Sequence, residues 1–329
     1  MVQRASVRVV GLLVLAALVG SISHAPAADA EPTFVRQQGL DRYGTAAAVS
    51  SVAFSPGVPV AFVASGETFP DALAGAPAAA ALGGPVLLVQ RNALPNATVG
   101  ELDRLDPERI VVLGGTSAVS QAVAQALVPF AATGVFRIEG ADRYATAAEI
   151  SEAFFLTADR VFVATGQAFA DALTGGAGIA GTTGGPLLLV LRDSIPAATA
   201  AELQRLQPAD IVVLGGESAV SAAVFAQLDQ YATDPVQRKA GADRYGTGVA
   251  VSSLFAAAPK VYLATGEAFP DALAGGAAAG FNDSPVLLVR KDCIPAAVDL
   301  EISRLMPGQV VVLGGESALG PGVLARQVC

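Results

Sequence analysis

The sequence is poor in the residues that enzymes most often use for proton transfer and metal binding. Its 329 residues include one histidine, two cysteines and no tryptophan, and aromatic residues make up only 6%. The single histidine, His24, lies in an N-terminal segment that we expect to be removed. Its loss excludes histidine-dependent catalytic triads, histidine general bases and histidine metal ligands. We therefore predict no catalytic residues, no metal site and no cofactor.

The N-terminal segment has the features of a secretory signal peptide. Arg4 and Arg8 form a positive region, residues 9–19 are apolar, and Ala-Asp-Ala ending at Ala30 is a small-x-small cleavage site. The apolar run is shorter than the roughly 20 residues that span a bilayer. We expect cleavage after Ala30, secretion, and no membrane span in the remaining chain. An uncleaved membrane anchor is the alternative.

Positive charge is also scarce. The chain has 20 Lys and Arg against 29 Asp and Glu, a net charge of −9. The predicted signal segment takes two arginines and one aspartate with it, which leaves −10. Acidic exported proteins bind nucleic acids poorly, because binding to the phosphate backbone needs clustered cations on the protein. We predict no nucleic-acid partner.

Cys293 and Cys329 are the only cysteines. An oxidising destination permits a disulfide between them, and two free thiols are the alternative. Closing a loop of about 36 residues contributes about 3–4 kcal/mol in the chain-entropy model.

What the sequence has in abundance is internal repetition, with several motifs recurring about a hundred residues apart. The motif DRYGTA at Asp41 returns as DRYATA at Asp142 and DRYGTG at Asp243, and FPDALAG at Phe69 returns as FADALTG at Phe169 and unchanged at Phe269. We divide the chain into a signal peptide (1–30) and three repeats (31–133, 134–233 and 234–329).

Within each repeat, short apolar strands alternate with helices. PVLLV and IVVLGG are apolar on both faces, which is typical of parallel strands covered by helices. FPDALAG starts an alanine-rich helix. These patterns predict an α/β protein with three Rossmann-like units of four βα steps each. Because no linker separates the repeats, we expect the units to pack about a pseudo-threefold axis.

In parallel sheets, ligands bind beyond the carboxyl ends of the strands, where three kinds of loop recur. The first is the glycine pair after VVL, at Gly114 and Gly115, Gly215 and Gly216, and Gly314 and Gly315. Such a pair permits anion binding at a following helix N-terminus. The alternative is a tight turn, with Ser117, Ser218 and Ser317 as helix caps.

The second loop follows PVLLV and carries a cation at the same place in each repeat, at Arg91, Arg192 and Lys291. One exposed ion pair contributes only about 0.2–1 kcal/mol. Three equivalent cations on one chain can nevertheless hold a repeating polymer, because the second and third contacts are intramolecular. Solvated loop charges are the alternative interpretation.

The third loop begins the helix of FPDALAG and carries Asp71, Asp171 and Asp271. An acid in a first helical turn caps the helix or interacts with its dipole. These acids could instead pair with Arg42, Arg143 and Arg244, within a repeat or across to the next one. Catalysis is less favoured because no second repeated group of general-base type accompanies them. Glu101, Glu202 and Glu301 lie three residues before Arg104, Arg205 and Arg304, a spacing that predicts surface ion pairs.

Taken together, RYGTA, FPDALAG, GGPVLLV followed by LP, and ELxRLxPxxIVVLGGxxAVS resemble the type 2 cell wall-binding repeats of Gram-positive surface proteins. The resemblance covers nearly all of residues 34–329. It implies three Rossmann-like or Toprim-like units that anchor the protein, without catalysis, to an anionic secondary polymer of the wall. Members of that family often carry a separate functional domain, for which we expect no room here.

In that family a Pro-Ile-Leu-Leu motif is associated with polymer attachment, which makes Pro85, Pro186 and Pro285 candidate contacts. The residues themselves favour a buried strand, with the cation beyond it making the contact. The third copy has Asp283-Ser284 in place of Gly-Gly and Leu319-Gly320 in place of Val-Ser, so we expect its site to be weaker or purely structural.

The acidic net charge leaves three ways to bind an anionic polymer. The cations gather on one face, divalent ions bridge acid to acid, or the polymer is only weakly anionic. Two other functions also remain open: an enzyme that acts on sugar phosphates or wall polymers at the strand-end loops, and a structural array that packs against a partner protein.

Overall fold

The computed structural model describes residues 31–68, 73–175 and 184–329. Residues 31–329 form one compact unit. The predicted signal peptide, its cleavage site and Asp71 lie outside the described residues. Among the described helices, none combines the length and the hydropathy needed to cross a bilayer.

Strands and helices alternate along the described chain. The strands are β1 (Thr33–Gln37), β2 (Val60–Ser65), β3 (Val86–Val89), β4 (Arg109–Leu113), β5 (Gly134–Ile138), β6 (Arg160–Thr165), β7 (Leu187–Val190), β8 (Asp210–Leu214), β9 (Gln237–Lys239), β10 (Lys260–Thr265), β11 (Val286–Val289) and β12 (Gln309–Leu313).

The helices follow the same three-part order. They are α1 (Arg42–Ala53), α2 (Gly75–Ala81), α3 (Asn96–Leu105), α4 (Gln121–Ala126), α5 (Arg143–Phe154), α6 (170–175), α7 (Ala197–Leu206), α8 (Ala222–Leu228), α9 (Arg244–Ser252), α10 (Pro270–Phe281), α11 (Ala296–Leu305) and α12 (Pro321–Leu324). Short 3₁₀ turns, Val128–Phe130 and Asp229–Tyr231, follow α4 and α8.

The strands form three sheets of four strands each, with every pair parallel. Their orders are β3-β2-β4-β5, β7-β6-β8-β9 and β11-β10-β12-β1. The sequence-based prediction of an α/β fold built from three parallel-sheet units is therefore confirmed.

One edge strand of each sheet comes from the following repeat. β5 pairs with β4, β9 pairs with β8, and β1 at the start of the chain pairs with β12 near its end. We expected each of these strands to belong to the unit that it begins. Instead, the chain crosses over through α4 or α8, and the next strand, β5 or β9, pairs in parallel with the strand that precedes the helix. Since the first strand completes the last sheet, the three units form a closed ring.

The core contains the strands that are apolar throughout. All four residues of β3, β7 and β11 are buried, as expected for strands with helices on both faces. Helix α10 packs against α1 and α2, and the rings of Phe54 and Phe281 lie in a tilted contact with centroids 4.9 Å apart. Contacts between the first and last repeats thus extend beyond the shared sheet.

Small residues in the FPDALAG helices are required by this packing. A Cβ atom at Gly75, Gly175 or Gly275 would lie 2.1, 2.0 or 2.2 Å from a Cδ1 atom of Leu113, Leu214 or Leu313, respectively. These distances are well inside van der Waals contact, so each helix can approach its own sheet only through a glycine.

The predicted ion pairs of Glu101, Glu202 and Glu301 with their arginines form, but their predicted surface position is wrong. The three glutamates are 5%, 4% and 6% exposed. Arg104 binds Glu101 through two nitrogens and also donates to the carbonyl of Phe54 at the end of α1. The other two repeats have the same arrangement. Each arginine therefore joins two helices, which brings its glutamate into the interior.

Cys293 and Cys329 form a disulfide with their Cα atoms 5.3 Å apart. The sequence left this pairing open. After the four-residue helix α12 the chain turns back, and Val328 pairs with Ile294 beside the bond. The disulfide thereby fixes the C-terminal segment to the loop that follows β11.

Candidate functional site

A repeated arginine on β1, β5 and β9 fixes the carboxyl edge of each sheet. Arg137 donates from Nη1 to the carbonyl of Gly114 at 2.6 Å and from Nη2 to that of Val119 at 2.8 Å. Arg238 makes the equivalent bonds to Gly215 and Val220, and Arg36 donates to the carbonyls of Gly314 and Gly320. Sequence reasoning missed these residues, although each lies five positions before the aspartate of DRY.

The first glycine of each pair has left-handed backbone geometry. Gly114, Gly215 and Gly314 have φ angles of 90°, 98° and 92°, a conformation that favours glycine. A Cβ atom at Gly215 or Gly314 would also lie 2.3 Å from a carboxylate oxygen of Asp171 or Asp271, respectively. The glycine turns and the aspartates therefore pack directly together.

The second glycine closes a tight turn and does not start a helix. Gly115 accepts backbone bonds from Ala118 and Val119 at 2.9 and 3.0 Å, and Gly216 does the same in repeat 2. Helices α4 and α8 begin later, with the side chains of Ser120 and Ser221 as N-caps. The predicted caps Ser117 and Ser218 are wrong, and Ser317 likewise precedes α12, whose N-cap is Gly320. An intervening turn separates the glycines from these short helices, so the proposed anion site at a helix N-terminus does not form there.

The predicted cations are exposed at this edge. Arg91, Arg192 and Lys291 follow the ends of β3, β7 and β11. Their carbonyl oxygens accept bonds from the backbone N–H groups of the next helix caps, Ser120, Ser221 and Gly320, at 2.8, 2.9 and 2.7 Å. The backbone of each cationic loop is therefore fixed.

The side chains of the three cations differ. Arg192 pairs with its neighbour Asp193 at 3.0 Å, and both side chains are more than half exposed. Neither Arg91 nor Lys291 forms an ion pair with an acid in the described ranges. These two cations are open to solvent.

The prolines of the PVLLV motif lie at the opposite end of the strands. Pro85, Pro186 and Pro285 are buried, and their carbonyls accept bonds from Phe62, Phe162 and Tyr262. The motif thus forms the buried strand that the sequence favoured. The proline rings lie at the start of these strands, and the cationic loops lie at the other end.

The repeated aspartates contact the next repeat. Asp171 forms a side-chain hydrogen bond with Thr247 and is attracted by Arg244, while Asp271 is attracted by Arg42 and bonds Thr45. The threonine hydroxyls already accept bonds from the N–H groups of Gly241 and Gly39, so they donate to the carboxylates. Burial raises the pKa of Asp171 and Asp271, and the threonine and arginine offset part of that rise.

The interaction between these aspartates and the repeated arginines is electrostatic, without a direct ion pair in the described residues. The guanidinium of Arg143 donates to the carbonyl of Gly166 at 2.6 Å, and Arg42 and Arg244 bind the equivalent carbonyls of Gly66 and Gly266. The preceding aspartates cap α1, α5 and α9. Arg42 and Arg244 therefore stay at the rim and lie across the repeat junctions from the buried acids.

Polar clefts lie at the junctions between repeats. The cleft between the last and first repeats has a volume of about 440 Å³ and is lined by Arg42, Glu267, Asp271, Gly315 and Ser317, among others. Its equivalent between repeats 1 and 2 measures about 390 Å³ and includes Gly115, Ser117 and Arg143. Within the described residues, His, Cys, Asp and Glu side chains form no cluster of three able to hold a metal ion.

Two curated relatives come from Bacillus subtilis (strain 168). The chain is 32% identical to the "Amidase enhancer" over 263 residues, which are 80% of this chain and 35% of that protein. It is 27% identical to "N-acetylmuramoyl-L-alanine amidase LytC" over 306 residues, 93% of this chain and 60% of that protein. The chain thus spans about a third and three fifths of the lengths of these relatives.

Two solved structures from Clostridium difficile share the fold. Cwp8 aligns with a TM-score of 0.80 at 25% identity, over 90% of this chain and 52% of the other. Cwp6 aligns with a TM-score of 0.82 at 23% identity, over 90% of this chain and 48% of the other, and at that identity supports the fold alone.

The family comparison is more specific. The sequence profile of cell wall binding domain 2 (CWB2) matches residues 36–124, 137–225 and 238–324. These ranges contain the glycine turns, the cationic loops and the strand arginines described above. Binding to the cell wall and a location at the wall or cell surface follow from this match. The chain belongs to the cell wall binding domain 2 family, with three tandem copies of the domain.

Proposed function

We propose that this protein is secreted and anchors itself, non-covalently and without catalysis, to the wall of a Gram-positive bacterium by binding an anionic secondary wall polymer. Three equivalent cationic loops on one rigid ring support this proposal. Arg91, Arg192 and Lys291 occupy the same place at the carboxyl edge of their sheets, and the same backbone bond fixes each loop. A polymer with a repeating anionic group is the ligand that repeated cations fit best.

The expected strength is consistent with reversible anchoring. One exposed ion pair contributes about 0.2–1 kcal/mol, which alone does not retain a protein on a wall. When one loop is bound, the other two are held near the same polymer chain, so their contacts add with little further loss of translational freedom. We include Gly115 and Gly315 in the contact surface because both line junction clefts.

The distribution of charge reduces the difficulty raised by the net charge of −9. Glu101, Glu202 and Glu301 are buried against arginines and add little negative potential outside. Asp171 and Asp271 are partly buried at the repeat junctions. These five acids therefore offer little exposed carboxylate to repel an anionic ligand, and the acids beside the cationic loops are Glu67, Asp193, Glu267 and Asp292.

Sedimentation with purified walls tests the proposal. We expect the wild-type protein to sediment without releasing a soluble product, and the triple variant R91A/R192A/K291A to stay in the supernatant. The control R109A/K260A, matched in charge to R91A/K291A, removes the two cations that start β4 and β10 at the opposite edge, and it should sediment normally. Release of wall fragments would instead indicate an enzyme.

Added salt and added chelator separate the binding modes. Salt weakens direct contacts between exposed cations and anions. A chelator acts only if divalent ions bridge acids of the protein and the polymer. We expect loss of sedimentation with salt and no effect of chelator; insensitivity to both would contradict electrostatic binding.

A further inference from the structure

The loop after β11 borders a cleft that is lined mainly by charged residues. The cleft has a volume of about 460 Å³ and is lined by Tyr245, Glu267, Arg290, Lys291, Asp292 and Cys293. Two cations and two carboxylates therefore face one small space. Arg290 also lies 5.8 Å from the ring centroid of Tyr245, within the range of a cation–π contact.

In the first two repeats the equivalent acids already have partners. The carboxylate of Glu67 accepts a bond from the backbone N–H of Arg91 at 3.1 Å. Arg192 pairs with Asp193, and Gln167 replaces the glutamate in that repeat. These loops therefore have fewer unpaired groups to offer a ligand.

In the third repeat the charges stay apart. None of the ion pairs among described residues includes Glu267, Arg290, Lys291 or Asp292. The Glu267 carboxylate likewise accepts no hydrogen bond from a described residue, in contrast to Glu67. Exposed charges of opposite sign that do not neutralise each other are available to a ligand that has both signs.

Several contacts hold this loop in place. The disulfide joins Cys293 to the C-terminal segment, and Ile294 donates to the carbonyl of Gln327 at 2.8 Å. Gly320 stands where the other repeats have a capping serine, and a Cβ atom there would lie 2.4 Å from Oδ1 of Asp292. From the sequence, we expected glycine at position 320 to weaken the third copy. In the structure, this glycine instead leaves room for the carboxylate of Asp292.

We propose that the third loop is a subsite for a polymer unit that carries both an anionic group and an amine. Arg290 and Lys291 bind the anion, and Glu267 and Asp292 bind the ammonium group through charge-assisted hydrogen bonds. A purely anionic unit would meet two carboxylates beside the two cations, and like charges in close contact oppose binding. This subsite rests on the proposed wall-anchoring function and narrows its ligand to an amine-substituted anionic polymer.

Fluorescence anisotropy with labelled oligomers of polyglycerol phosphate tests the subsite. One oligomer is unsubstituted and the other carries alanyl esters, whose free amines add positive charge to the same backbone. We expect the intact, disulfide-bonded protein to bind the esterified oligomer about fivefold more tightly, the size expected for two exposed ion pairs. A soluble muropeptide, which also has amine and carboxylate groups, serves as a third probe.

Two double variants with the same change in charge give the comparison. E267Q/D292N should lose the preference for the esterified oligomer and bind the plain one more tightly, because the repulsion is gone. The matched control E67Q/D193N removes acids from the equivalent positions of the other repeats and should keep the preference. Separately, C293A/C329A should reduce the preference while leaving all charges in place.

Each result has a definite meaning. Equal affinity of the wild-type protein for both oligomers, or an unchanged preference in E267Q/D292N, overturns the subsite. Tighter binding of the muropeptide than of the esterified oligomer overturns its assignment to the polymer. Wall sedimentation of the wild-type protein is measured in parallel. If sedimentation persists and the preference is absent, only the subsite fails; if sedimentation is also absent, the anchoring function fails.

Discussion

The carboxyl group of Asp271 in the last repeat lies beside Arg42 and Thr45 of the first, and both residues favour its ionised form. Asp171 and Thr247 form the same contact between repeats 2 and 3. Together with the pairing of β1 and β12, the Asp271 contact joins the ends of the described ring. The repeated acid of FPDALAG thus connects one repeat to the next.

The buried position of Asp271 predicts a stabilising substitution. Burial raises the pKa of this carboxyl above its ordinary value, so the folded state favours the protonated form. The ionised form therefore costs stability at neutral pH, and that cost disappears as the pH falls below the unfolded pKa of about 3.9. We expect D271N to raise the free energy of unfolding in urea at pH 7, with a gain that shrinks towards pH 3. A loss of stability at pH 7 that shrinks towards pH 3 would show that the attraction of Arg42 outweighs burial.

Arg137 should contribute to stability through geometry more than through charge. Its guanidinium bonds two carbonyls, at Gly114 and Val119, and each bond to a charged donor contributes about 1.5–3 kcal/mol. We expect R137A to lower the free energy of unfolding by about 3 kcal/mol. R137K keeps the charge but lacks the planar fork, so it should lose most of the same energy. Full stability of R137K in urea titrations would contradict this role.

Gly275 should not tolerate a methyl group. Its added Cβ would lie 2.2 Å from Leu313, and overpacking of this kind costs about 1–3 kcal/mol. Gly100 in α3 has no heavy atom within 4 Å of such a Cβ and is the matched control. G100A should raise stability by about 0.4–1 kcal/mol through the unfolded state. Equal effects of the two substitutions on urea unfolding would mean that the helix has room to move.

The disulfide should stabilise the third repeat. Closure of a loop with a sequence separation of 36 residues contributes about 3–4 kcal/mol in the chain-entropy model. We expect C293A/C329A to lower the free energy of unfolding by about that amount, and dithiothreitol to shift the wild-type protein in the same direction. The bond is absent if dithiothreitol does not change the free energy of unfolding of the wild-type protein and two thiols titrate before it is added.

The sequence predicted the features that depend on neighbouring residues, namely the buried strands and the position of the cations. The continuously apolar run at Val86–Val89 forms a strand buried on both faces, and the cation after it lies at the carboxyl edge. Comparison of the copies also left open a link between repeats through the aspartates, which the structure provides for Asp171 and Asp271.

The features that the sequence did not predict depend on distant contacts. The spacing of Glu101 and Arg104 is compatible with a surface pair, and only the carbonyl of Phe54, fifty residues away, brings the pair inside. The exchange of β1 into the last sheet likewise depends on how the ring closes. Ser117 precedes Ser120 as a plausible cap, but the turn at Gly115 delays the helix by three residues.

The most direct test of the account is the affinity for purified walls as the cationic loops are removed one at a time. Sedimentation isotherms of K291A, R91A/K291A and R91A/R192A/K291A should show a stepwise loss of affinity, with no measurable retention of the triple variant at physiological salt. Avidity predicts that the loss per loop grows as fewer contacts remain. A triple variant that is folded and still binds walls as tightly as the wild-type protein would contradict the central claim.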